Sequence, residues 1–388
     1  MRRLLPLMVV MLSCHVVFAQ ETNREKAIAK ATEAIKLMDD GKLAESIELL
    51  NEARKLDPDL KDIVYELALA KYQQGKYDEA LKDLKYLVKE KAANGRVYAM
   101  MGNVLDDMGK PEKAISTYED GLKKFPGEGA LYVERGVMEL KKNNEGAALE
   151  YFEKGIRNAP MHASNYYRAA KMFLDSQQEV WGMIYGEFFM NLERGSKRTE
   201  EMSRLLYYTY KGEIKFESDT AATVSFASNA HTITLNPDHR KKDQTANLAA
   251  QMLSVVSGGS YGTSIYQPTL TLAVAGQKAI NLATLNTIRT KFIDLYHQLG
   301  HDTIYPIAIF NFQNKIKEAG HMEAYNYWLL GQGDDAALGE WVEEHRQQWN
   351  DFMTWFKENK LVIPADEGFS RLSMMITGEI LKGKVKME

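Results

Sequence analysis

Three observations predict a mainly α fold in two parts. An α-α superhelical solenoid of about five helical hairpins is expected over residues 25–194. A mostly helical C-terminal domain with a small antiparallel β meander is expected to follow. The first observation is a period of 34 residues, held in phase from Glu25 to Met190. Gly41, Gly75, Gly109, Asn143 and Gln177 recur at that spacing, and Ser46, Ala80, Ala114, Ala148 and Gly182 follow each of them in turn. Pro58, Pro126 and Pro160 close three of the units, and Ala92 takes the corresponding place in another. A period of this length marks helical hairpins that bury their apolar faces only by stacking on neighbours. The second observation is a change to period two between Gly212 and Asn236, where EIKFES, ATVSFAS and HTITLN alternate polar with apolar or β-branched residues. The third is the return of helical spacing from Thr269 onward.

Taken in order, the chain divides into residues 1–19, 20–211 and 212–388. Arg2 and Arg3 precede an apolar run from Leu4 to Val17, and Val17-Phe18-Ala19 before Gln20 reads as a small-residue cleavage site. That is the anatomy of a secretory signal peptide. The run is too short to make a spanning helix. Export to the periplasm or another envelope compartment is therefore expected, with the mature chain starting near Gln20. Cys14 is the single cysteine, and Met11-Leu12-Ser13-Cys14 resembles in part a bacterial lipobox, with Met11 in place of the usual leucine. Anchoring through a lipidated Cys14 is the alternative. Without Cys14 no disulfide or thiolate metal site can form. Removing Arg2 and Arg3 takes the formal charge from −4 to −6. Acidic and basic residues are interspersed, so the basic face that nucleic acid binding requires is missing.

Within each unit, glycine ends one helix in a backbone state that costs other residues more. In GKYDEALKDLKYLVKE, Ala80, Leu84 and Leu87 then form one face of the next helix. Small residues at Ala34, Ala68, Gly102, Gly136 and Ala170 let the two helices of a unit approach closely. The stretches GKLAESIELLNEARKLDP, GKYDEALKDLKYLVKE, GKPEKAISTYEDGLKKFP and NNEGAALEYFEKGIRNAP resemble the tetratricopeptide repeat. Tyr98, Tyr132 and Tyr166 supply the aromatic of the first helix. The fifth unit, Ala163 to about Arg194, lacks the turn glycine and the closing proline.

The resemblance implies a concave groove lined by the first helix of each hairpin, and a protein or peptide held in it. By register, the groove presents Tyr65, Leu69 and Tyr72, then Asn103, Asp106 and Asp107. Val133, Val137, Leu140 and Lys141 follow, then Tyr167, Lys171 and Leu174. Relatives that grip acidic C-terminal tails use a lysine- and asparagine-rich clamp. Here Asn103 alone is suitably placed, and Asp106 and Asp107 repel an acidic tail. The aromatic and aliphatic lining suits an extended or helical peptide held by apolar contacts. The chain's own C-terminal part is a competing occupant.

After Gly182 the phase decays. A helical stretch broken near Gly195-Ser196, rich in aromatics, is expected to cap the solenoid. The meander comes next, with turns at Asp219 and Asn229, then a helix over 243–256 and a loop over Ser257–Ser264. AGQKAINLATLNTIRTKFIDLYHQL reads as one long helix ended by Gly300, and DDAALGEWVEEHRQQWNDFMTWFKEN as another. Trp328, Trp341, Trp349 and Trp355 on these helices are expected in the core.

Strong catalytic motifs are missing. Gly258-Gly259-Ser260-Tyr261-Gly262 fits G-x-S-x-G, but that motif needs a strand before its serine and an alternating βα pattern, neither of which the sequence offers. Asp294 and His297 follow in the right order. His297 and His301 are four apart beside Asp302, yet Gly300 ends the helix between them. His345 beside Glu343 and Glu344 reads as a solvated face. No catalytic residue, metal or cofactor is expected. The rival class is an enzyme of the C-terminal half, hydrolase-like through Ser260 or metal-dependent through His297 and His301, with the repeats as a docking arm.

Overall fold

The first three hairpin turns are closed by the same backbone device, which is why the period survives divergent side chains. At Gly75 (φ 78°) the amide of Gly75 donates to the carbonyl of Tyr72 at 2.9 Å, and that of Lys76 to Lys71 at 2.8 Å. Gly41 and Gly109 repeat this paired closure, and Asn143 adopts the same left-handed state (φ 57°). The computed structural model describes residues 23–218, 221–227, 231–234, 260–364 and 370–371. The expected export segment with Cys14, the turn residues Asp219 and Asn229, the helix expected over 243–256, and Gly258–Gly259 lie outside the described residues. The described chain divides into two compact units, up to Lys142 and from Asn143 onward.

The first unit runs through α1 (residues 23–39), α2 (Leu43–Leu56), α3 (Lys61–Gln73), α4 (Tyr77–Lys89), α5 (Gly95–Asp107), α6 (Pro111–Lys124) and α7 (Gly129–Lys141). Asp57 and Phe125, each before a proline, cap their helices with φ near −135°, because a following proline disfavours the helical region. Ala92 imposes no such restriction. There α4 ends instead in a left-handed Lys91 (φ 56°). Two apolar clusters form the core, one around Ala34, Leu50 and Leu67, the other around Ala68, Leu84, Val97, Val104, Tyr118 and Leu131.

The second unit begins with α8 (Glu145–Asn158), α9 (Ala163–Leu174), α10 (Glu179–Leu192) and α11 (Lys197–Glu213). Gln177 does not adopt the left-handed state of its counterparts. The turn is held by Ser176, whose hydroxyl donates to Phe173 O at 2.8 Å and accepts from Gln178 N–H at 3.0 Å. Left-handed Gly195 and a reciprocal cap between Ser196 and Thr199 start α11, as the break in the sequence implied. The meander follows as β1 (Ile214–Ser218), β2 (Ala221–Val224) and β3 (His231–Thr234), antiparallel in sequential order.

A π turn, Gly262–Tyr266, runs straight into α12 (Gln267–Val274). Pro268 sits in the first turn of α12, where its missing N–H is tolerated, so it does not interrupt the helix. Then come α13 (Leu282–Gln298), α14 (His301–Ile304), α15 (Ala308–Glu318), α16 (Met322–Leu330), α17 (Asp335–Glu344) and α18 (Arg346–Glu358). The long helix expected from Ala275 starts only at Leu282, behind an Asn281–Thr284 capping box. The last expected helix is two, divided at His345. Trp341 is buried between Tyr327 and His345, whereas Trp328, Trp349 and Trp355 are half-buried.

The centre of this unit is polar. Glu187 of α10 accepts Arg289 Nη2 at 2.7 Å, the Tyr325 hydroxyl at 2.7 Å, and the amide of Gln313. Arg289 also donates to Asn326 at 2.7 Å and to the Tyr210 hydroxyl at 3.1 Å. The pair ties α13, α15 and α16 to α10. About 10 Å³ of space remains beside it, room for no more than a water molecule. That excludes a substrate site.

At the start of α10, burial and then the charge of Glu213 push the Glu179 carboxyl up to about 7 from 4.5. A raised carboxyl means the folded state holds the proton more tightly, so stability is lost as pH rises through that interval. His301, pushed down by burial, works in the opposite sense. Urea midpoints at pH 5 and pH 8 for wild type and Glu179→Gln isolate the first effect: the wild type should lose more stability than the variant on going to pH 8. Equal changes would remove Glu179 as the cause.

Candidate functional site

The expected groove residues lie on α3, α5 and α7 of the first unit and on α9 of the second. In the first unit four of them bond one another across successive hairpins, and a fifth, Asn103, is held within its own. The Tyr72 hydroxyl donates to Asp107 at 2.7 Å, Lys141 pairs with Asp106, and Tyr118 donates to Asn103 at 2.6 Å. Burial and the bond to Asp107 raise the Tyr72 hydroxyl. Asp106 therefore faces a lysine. Leu69, Val137 and Leu140 are half-buried. In the second unit the Tyr167 hydroxyl donates to Glu201 of α11 at 2.5 Å and Lys171 reaches the same carboxylate at 2.7 Å. Arg198 stacks over Tyr167 at 5.0 Å. At α9 the capping helix α11 thus occupies the side chains the sequence assigned to a partner.

One end of the first unit's set is open. A cavity of about 330 Å³ is lined by Lys61, Tyr65, Glu66, Asn94, Arg96 and Val97, with Leu87 and Ala92 on its floor. The Arg96 guanidinium lies over the Tyr65 ring at 4.6 Å. Arg96 also donates to the Tyr65 side chain, and its remaining N–H groups are donors that a carboxylate can use. The other cations of these helices are committed. Lys71 meets Asp83 at 2.6 Å, Arg135 meets Glu119 at 2.7 Å, and Lys141 meets Asp106. Lys61 donates to the Tyr86 hydroxyl at 2.9 Å. Among the described residues, Arg96 has no carboxylate within ion-pair distance. Burial raises the Glu66 carboxyl, and Arg96 opposes that rise. Sequence reading selected Tyr65 and missed Arg96, because the pairing joins two hairpins and only the stacked geometry shows it.

The catalytic candidates are not assembled. Ser260 is exposed, and its hydroxyl contacts the Thr263 hydroxyl at 3.3 Å and amide at 3.4 Å, as a helix cap does. Asp294 pairs with Lys317, and His297 Nδ1 meets Asp302 at 2.8 Å. Serine, histidine and acid are each engaged elsewhere. Among the described residues no group of three or more His, Cys, Asp or Glu side chains could hold a metal ion, and no helix is long and apolar enough to cross a membrane.

Residues 37–104 and 71–134 match the tetratricopeptide repeat family. A stretch of 70 residues is 30% identical to tetratricopeptide repeat protein 21B of Homo sapiens, which is 18% of this chain and 5% of that protein. The chain thus spans a small part of the curated relative it matches. Among solved structures, pilF of Pseudomonas aeruginosa is 18% identical with a TM-score of 0.39, covering 49% of this chain and 86% of that one. TTC0263 of Thermus thermophilus, a thermophilic TPR protein, is 15% identical with a TM-score of 0.39, covering 46% and 98%. YrrB, described as a TPR protein with an unusual peptide-binding site, is 18% identical with a TM-score of 0.30, covering 47% and 94%.

Proposed function

We propose that this chain, which carries tetratricopeptide repeats and so a protein-interaction module, is an exported binding protein that holds a peptide segment of a partner in the first unit. The observation that carries this reading is the Tyr65–Arg96 cavity. Its apolar floor, Leu87, Ala92 and Val97, accepts an aliphatic or aromatic side chain. The N–H groups of Arg96 that Tyr65 does not take can donate to one carboxylate. Asp62 and Glu66 beside it repel further negative charge, so an acidic run is disfavoured. The partner is a peptide with one carboxylate next to an apolar side chain. Tyr72, Asn103, Asp106 and Lys141, held in place by their own bonds, continue the surface with Val137 and Leu140. Export is supported by the pattern of residues 2–20, and envelope association through Cys14 is its variant form.

The test is a peptide array probed with the mature protein recovered from its native envelope, whose mass also reports whether it begins near Gln20. Peptides with an isolated Asp or Glu beside an apolar residue should be selected. Arg96→Ala should weaken them at least tenfold, since a charge-assisted bond contributes about 1.5–3 kcal/mol. Tyr65→Ala should weaken them less. An unchanged selection after Arg96→Ala would refute the site.

A further inference from the structure

Glu119, Glu153 and Glu187 stand 34 residues apart, at one position of the second helix in three successive hairpins. Each meets an arginine. Glu119 takes its arginine from the next helix of the array, accepting Arg135 Nε at 2.7 Å. One and two periods after Arg135 the chain has Ala169 and Ser203. The array therefore carries the acid again without the base, and the other two guanidinium groups come from outside it. Arg289 of α13 serves Glu187. Arg371, 218 residues away, serves Glu153.

The Glu153 arrangement differs from a simple ion pair. Its carboxylate is fully buried, and the two oxygens accept Arg371 Nε at 3.3 Å and Nη2 at 2.9 Å. The Tyr185 hydroxyl donates to Glu153 at 3.0 Å and accepts the backbone N–H of Arg371 at 2.7 Å. The ring of Phe173 lies 5.5 Å from the guanidinium carbon, and Ser370 is completely buried beside it. Side chain and main chain of one residue are thus both read, by groups from α8, α9 and α10. Arg371 keeps 23% of its side chain exposed, against 6% for Arg289.

We propose that Glu153, Tyr185 and Phe173 form a second peptide-binding site, specific for an arginine-bearing segment and filled in cis by Ser370–Arg371 of the same chain. The fork and the backbone bond select an arginine whose own main-chain N–H is presented beside its guanidinium. A fully buried carboxylate demands a cation, and lysine cannot satisfy two oxygens and the aromatic face together. A free segment of the same chemistry competes only when the chain's own is released. This site lies in the second unit and stands independently of the Tyr65–Arg96 cavity.

The test uses a fluorescent peptide covering residues 367–373 and the full chain, read by anisotropy. Arg371→Ala should bind this peptide at least tenfold more tightly than the wild type. Citrulline in place of the peptide's arginine, or Glu153→Gln added to the protein, should abolish the gain. A folded Arg371→Ala protein that shows no gain, or that binds the citrulline peptide equally, overturns the site. Should Arg371→Ala fail to fold, Arg371→Lys decides. It keeps the charge but loses the fork, so the peptide should bind it more tightly than the wild type, and no gain there overturns the site as well.

Discussion

Arg289→Ala is expected to lower the stability of the second unit by about 3–5 kcal/mol, a fall of roughly 6–20 °C in its melting midpoint for a unit of this size. The substitution leaves Glu187 buried, 4% exposed, with only the Gln313 amide and the Tyr325 hydroxyl to face it. It also strips partners from Asn326 and Tyr210. Removing both charges is a different perturbation. Glu187→Gln with Arg289→Met takes away the uncompensated carboxylate and keeps most of the volume, so more than half of the loss should return. Circular dichroism melts of the two single variants and the double variant measure this. A loss below about 1 kcal/mol for Arg289→Ala would mean that water reaches the pair.

The same pair shows what the sequence could reveal. Glu119, Glu153 and Glu187 are in phase and legible as a repeating acid. Their arginines are not, because Arg289 and Arg371 lie 102 and 218 residues from the acids they meet, and long-range pairing leaves no local pattern. The turns were legible for the opposite reason. A left-handed backbone at Gly41, Gly75 and Gly109 restricts the residue locally, so it shows as a period. Helix boundaries fell between these cases. Asn281 and Thr284 spell a cap, yet the apolar spacing before them drew the expected helix back to Ala275. Within the groove, reading each helix alone picked out Tyr72, Asp106 and Lys141 as free side chains. Stacking joins them across hairpins, 35 residues apart, and leaves Arg96 as the available group. The C-terminal helices were recognisable as helices, but not as suppliers of charge to the array.

Gly102→Ala should destabilise the first unit, although alanine is favoured over glycine in a helix by up to about 1 kcal/mol. A Cβ at Gly102 would lie 2.0 Å from Tyr118 Cε1 and 2.4 Å from Cζ. Tyr118 cannot yield easily: it is 1% exposed and its hydroxyl is held by Asn103. Overpacking of this kind costs about 1–3 kcal/mol, which exceeds the helical gain. The array itself suggests the rescue. At the corresponding positions the first hairpin pairs Ala34 with Leu50 and the second Ala68 with Leu84, all fully buried. The third exchanges volume between the two helices, glycine for alanine and tyrosine for leucine. Gly102→Ala with Tyr118→Leu recreates the combination of its neighbours and should recover most of the lost stability despite the missing hydroxyl. Gly146→Ala in α8, with nothing within 4 Å of the added carbon, is the control and should be neutral or slightly stabilising. If Gly102→Ala melts like that control, the close approach of α5 and α6 is not what fixes glycine here.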